Sequence, residues 1–116
     1  MKIFVGLVFL LLMQREAFAQ AGSRSSSSAD NVELVHKAID HLNDVAFSIY
    51  LESPDSARAI AEKALLLAEK SEYKEGIGRS FLNIGHVYWS QSYYPIALVF
   101  LNKALLNLPK DNPLLI

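Results

Sequence analysis

The side chains best placed to do chemistry are an imidazole and a carboxylate early in the chain. His36 and Asp40 stand four residues apart, a spacing that puts both on one helical face and allows a local contact. His41 lies five residues from His36 and off that face, so the two imidazoles lack the i, i+4 spacing of a helical metal pair. There is no Gly-rich phosphate loop and no GxSxG elbow, and the sequence contains no cysteine. Catalysis needs groups that converge with matched acidities, and these do not converge. The expectation is therefore a chain that is not an enzyme and uses neither a metal nor a cofactor.

The elements that must position these groups are four amphipathic helices, predicting an all-α fold. Asp30, with Glu33 three residues on, marks a first start. Val35, Ala38, Leu42, Val45, Ala46 and Ile49 then recur at threes and fours until about Leu51. Ser53-Pro54-Asp55 offers a cap, a proline at the first helical position and an acid near the positive helix end. Ala57, Ile60, Ala61, Ala64, Leu65 and Ala68 follow on one face, with the helix running to Lys70. Ile77, Phe81, Ile84, Gly85 and Tyr88 form a third face; Gly76 belongs either to that helix or to the turn before it. Gln91 to Tyr94 make a joint, Pro95 opens a fourth helix, and Ala97, Phe100, Leu101, Ala104, Leu105 and Leu108 line it. Gly85 opposite Ala97 and Ala104 allows the two backbones to approach closely.

Phe81, Ile84, Gly85, Tyr88, Ala97, Leu101, Ala104 and Pro109 fill, in order and spacing, the eight positions of the tetratricopeptide repeat, and the stretch resembles that family. A second unit emerges on sliding the sequence by 40 residues, when Ala57, Lys63, Ala64, Leu65 and Leu66 fall on Ala97, Lys103, Ala104, Leu105 and Leu106. In the first unit Leu42, Val45, Ala46 and Ile49 take the corresponding places less closely. The resemblance implies a right-handed α-solenoid of two hairpins, units about 31–70 and 73–109, within a domain at 31–116. It also implies a groove along the first helix of each unit that binds a protein or peptide. Carried over, that groove would show Asp40, Asn43, Phe47 and Tyr50 from the first unit and Leu82, His86, Trp89 and Ser90 from the second. Phe47, Tyr50 and Trp89 are then either exposed binding aromatics or core of a neighbouring unit. Of the Lys and Asn set by which some family members clamp a partner's carboxylate, only Asn83 matches, so that ligand is not expected.

Lys2, the apolar run Ile3 to Met13 and Ala17-Phe18-Ala19 read as a signal peptide over residues 1–19, pointing to export into a periplasm or the extracellular space. A membrane span needs about 20 apolar residues, more than this run has. Residues 20–30 are Ser-rich and read as a flexible linker. Without residues 1–19 the chain holds nine basic and eleven acidic residues, which offers no basic stripe for nucleic acid. Leu114-Leu115-Ile116 leave an apolar end, so the chain is either the first part of a longer protein or pairs with another copy there. A signal peptide, a Ser-rich lead and 40-residue units are together similar to the sensory portions of membrane-bound signal-transduction proteins, such as histidine kinases and transcriptional regulators, which gives an alternative function.

Overall fold

The computed structural model describes residues 26–111; the expected signal peptide, the linker before Ser26 and the apolar end at 114–116 lie outside the described residues. The chain divides into two units, Met1–Val32 and Glu33–Ile116, and the packing below is that of the second. The described residues form helices α1 (Ser26–Ile49), α2 (Pro54–Lys70), α3 (Lys74–Ser90) and α4 (Tyr94–Asn107), with no strand among them. The all-α expectation is met.

Several local expectations need correction. Helix α1 begins at Ser26, so the last part of the stretch assigned to a linker is helical. No Gly or Pro lies between Ser26 and Ser53, and Ser costs an exposed helix only a few tenths of a kcal/mol relative to the best formers, so the helix extends backwards past Asp30. It stops at Ile49, two residues short of Leu51. Ser53 takes the N-cap position of α2 without any side-chain capping bond; Pro54 and the first-turn Asp55 carry that start. Pro95 is the second residue of α4, after Tyr94. Gly76 belongs to α3.

The inward face of α1 is also rotated from the one its hydrophobic pattern suggests. Val35 and Ala38 are exposed, while Ile39, Asn43 and Ala46 are completely buried. Ile39 packs with Ala64 and Ala68 of α2, flanked by Leu42, Leu67, Tyr73 and Ile77. Ala46 packs with Ala61 and Ile84, flanked by Ile60, Leu65, Tyr88 and Phe100, so all four helices contribute to this second cluster.

Helix α3 is the central element, packed against α2 and α4 and hydrogen-bonded to α1. Its small residues make that possible. Ala57, Ala61, Ala64 and Ala68 give α2 a buried stripe with little side-chain bulk, and Ala97 and Ala104 do the same for α4. The 40-residue correspondence reappears in burial, since Ala57 and Ala97, and Ala64 and Ala104, are all fully covered. A Cβ built on Gly85 would stand 2.7 Å from Leu101 Cδ2 and 2.9 Å from Leu101 Cγ, so the closeness of α3 and α4 depends on its absence.

The joints before α3 and α4 share one geometry. Glu72 and Ser92 adopt left-handed backbone, with φ of 54° and 66°. Glu72 N–H donates to Glu69 O and Tyr73 N–H to Ala68 O; Ser92 N–H donates to Trp89 O and Tyr93 N–H to Tyr88 O. This is the Schellman arrangement, made here without glycine. At the second joint its hydrophobic contact is Tyr93 edge-on to Tyr88, with ring centroids 6.4 Å apart.

Two substitutions test these points. Gly85→Leu overpacks the α3 and α4 contact and should lower unfolding stability by about 1–3 kcal/mol, read as a fall in the urea midpoint. Ser92→Gly relieves a left-handed L-residue and should raise stability by about 0.5–1 kcal/mol after glycine's entropic cost, read as a higher thermal midpoint.

Candidate functional site

Of the eight expected groove residues, the structure uses two internally. Asn43 is fully buried between α1 and α3: its Nδ2 donates to Ser80 Oγ at 3.2 Å, and its backbone O and Oδ1 both accept from Asn83 Nδ2 at 3.0 Å. Ser80 Oγ in turn donates to Gly76 O at 2.8 Å. Asn43 is thus a structural residue, not a groove residue, because it is covered completely and its amide is bonded within the fold. Asn83, the one residue matching a carboxylate clamp, is committed to the same network.

Asp40 is the second. Its carboxylate accepts from the Tyr73 hydroxyl at 3.0 and 3.2 Å and pairs with Arg79, which also reaches Asp44. Burial, and after it the bond to Asp40, pushes the Tyr73 phenol up to about 12. The expected contact between His36 and Asp40 is replaced by a stack: the His36 ring lies parallel to Tyr73 at a centroid distance of 3.8 Å. Tyr73 and Arg79 were not singled out in the sequence, because each is recognisable only once α3 is laid beside α1.

Further along the same two helices the structure gathers three of the predicted side chains. Phe47, Tyr50 and His86 form a ring triangle with centroid separations of 5.8 Å for Phe47 to Tyr50, 5.9 Å for Phe47 to His86 and 5.4 Å for Tyr50 to His86. Phe47 lies in the last turn of α1 and Tyr50 in the turn that follows it, and α3 supplies the imidazole. Phe47 remains 55% exposed, which places it outside the core. Leu82, one turn before His86, is half-buried. Trp89, 54% exposed, meets Tyr94 of α4 edge-on at 4.9 Å. Trp89 is therefore a surface aromatic too, and Tyr94 is the partner that a reading of Gln91 to Tyr94 as a plain joint overlooks. Ser90 is exposed, with its hydroxyl turned back on Val87 O.

The residues assigned to repeat packing differ in burial. Ile84, Gly85, Ala97 and Ala104 are buried, and Phe81, Tyr88 and Leu101 are half-buried. Tyr88 stacks on Phe100 at 5.6 Å and accepts a hydrogen bond from Arg58 at 3.3 Å. Pro109 is the exception: it is exposed and follows the Leu108 cap of α4, so it ends the helix without packing.

Electrostatically the aromatic furrow is marked by His86. Its Nδ1 is buried without a hydrogen-bond partner, and burial lowers its pKa from the ordinary 6.5. No group of His, Asp and Glu able to hold a metal occurs among the described residues, and none of their helices is long and apolar enough to cross a membrane. A hollow of about 390 Å³ lies at the other end of α3, lined by Lys74, Glu75 and 106–109, and includes none of the furrow residues. The furrow offers apolar rings and one imidazole, which suits it to holding an apolar side chain of a partner. No family model, curated protein or solved structure matches the chain.

Because the folded chain disfavours the His86 cation, the unfolded chain binds more protons once pH falls below about 6.5. Stability should therefore decline from pH 6.5 downwards, and His86→Phe should flatten that part of a plot of urea midpoint against pH. An unchanged slope would show that the imidazole is solvated.

Proposed function

We propose that residues 31–109 are two tetratricopeptide-like hairpins, α1 with α2 and α3 with α4, stacked as a right-handed α-solenoid, and that they form an exported module binding a protein or peptide. The family pattern supports the architecture, because its small positions Gly85, Ala97 and Ala104 are the buried ones. Export rests on the leader pattern of residues 1–19 alone.

The function rests on one observation: Phe47 at the end of α1, Tyr50 in the turn after it and His86 of α3 come together as an aromatic cluster at positions where such arrays hold their ligands. An apolar or aromatic side chain laid on Phe47 would lose water from both surfaces, and such contacts supply most of the energy of a peptide interface. The Asp40, Arg79 and Asp44 group beside it is already paired, so it contributes a polar rim.

The test is selection of peptides from a random displayed library on the 116-residue chain, followed by affinity measurement on the enriched sequences. Phe47→Ala and Trp89→Ala should each weaken binding by at least about tenfold with the melting temperature unchanged. Enrichment of nothing, or binding indifferent to both changes, removes the module reading.

A further inference from the structure

The charges around the ring cluster specify what kind of segment it can hold. Asp44 stands three residues before Phe47 on α1, which puts their Cβ atoms about 5–6 Å apart on one helical face. Its side chain is 68% exposed, whereas that of Arg79, which it holds, is only 20% exposed. An approaching ligand therefore meets the acid, not the base. Arg79 is also shared with Asp40, so one positive charge serves two negative ones.

The chain on either side has the same sign. From Ala38 to Ala57, the stretch that contains Phe47 and Tyr50, the charged residues are Asp40, Asp44, Glu52 and Asp55, and none is basic. From Ser80 to Asn102, the stretch that contains His86 and Trp89, there is no Asp, Glu, Lys or Arg. Lys37, the nearest base before them on α1, has its ammonium held 3.0 Å from Glu33. Burial keeps the His86 imidazole uncharged at neutral pH, so it does not oppose a cation either. An exposed ring beside a carboxylate, with no competing base, suits an organic cation: the ring face attracts it through its quadrupole, and the acid adds a charge-assisted hydrogen bond. The sign is the reverse of a carboxylate clamp, whose one matching residue, Asn83, is buried.

Given the binding function proposed above, on which this rests, we propose that the furrow takes a basic peptide segment, with an arginine laid on the exposed Phe47 ring and its guanidinium on the Asp44 carboxylate. Arginine also meets the apolar requirement, since its methylene stem covers ring surface while its weakly hydrated head stays at the rim. Peptides enriched on the 116-residue chain from a random displayed library should carry arginine at a shared position. Replacing that arginine by citrulline, its uncharged isostere, should weaken binding at least about tenfold. Asp44→Asn should weaken the arginine peptide to the same extent and leave the citrulline peptide unaffected, while Glu69→Gln on α2 should change neither. An exposed ion pair contributes little to folding, so the urea midpoint of Asp44→Asn should match that of the parent chain. Enriched peptides that need Phe47 but are neutral or acidic, or an arginine preference that survives Asp44→Asn, would overturn the proposal and leave the binding module standing. Enrichment of nothing would remove both.

Discussion

The register of α1 on α3 is set by the hydrogen bonds among Asn43, Ser80, Asn83 and the Gly76 carbonyl. Apolar contacts alone would tolerate α1 sliding along α3, since Ile39 and Ala46 could find other alanines to cover. The buried amides do not tolerate it. A slide of one turn, about 5.4 Å, would part them, and each buried polar group left without a partner costs about 1–3 kcal/mol. The network therefore adds little net stability but discriminates strongly against neighbouring registers. In the selected register Asp40 faces Tyr73 and Arg79, and Phe47 and Tyr50 face His86, so the furrow is a consequence of where the amides meet.

Such contacts need closely spaced backbones, which is where the small residues enter. The alanine stripes of α2 and α4 and the glycine at 85 remove the bulk that would hold the helices apart. Little apolar area is buried per alanine, so the larger part of the hydrophobic gain comes from Ile39, Ile84, Val87 and the rings of Tyr88 and Phe100 that fill around the contacts. Close approach and large fillers alternate along α3, and this explains why α3 is covered on more than one side.

Much of this was legible from residue spacing. The ends of α2, the close of α3 before Gln91 and the small-residue positions Gly85, Ala97 and Ala104 follow from periodicity and turn signals, whereas the sequence leaves the start of α3 open at Gly76. What failed was α1, and for a physical reason. The family resemblance carries Asn43 into the groove, and hydrophobic periodicity, which passes over an asparagine, places the inward face on Val35 and Ala38 in place of Ile39. A buried polar residue is invisible to a pattern of apolar ones until its partners, 37 and 40 residues away, are brought beside it. Helix α4 poses the opposite difficulty. It is apolar almost all round, and periodicity cannot then say which side is the core.

The two uncovered surfaces differ in a way that bears on what each can do. The furrow keeps a buried imidazole nitrogen without a partner, whereas the amides of the α1 and α3 contact are fully paired. A buried nitrogen left without a partner is a cost the fold could remove by placing Leu or Phe at that position, and it falls inside the ring cluster and not on its open side. The outward face of α4, where Leu98, Val99, Leu105 and Leu106 are exposed, has no comparable feature. Its side chains are aliphatic, apart from Tyr94 at one end and Asn102 at the middle, and shape alone would give them little discrimination among apolar partners. A single amide on such a face adds discrimination, because a partner that covers it must bring a hydrogen-bonding group to the same point or leave it unpaired.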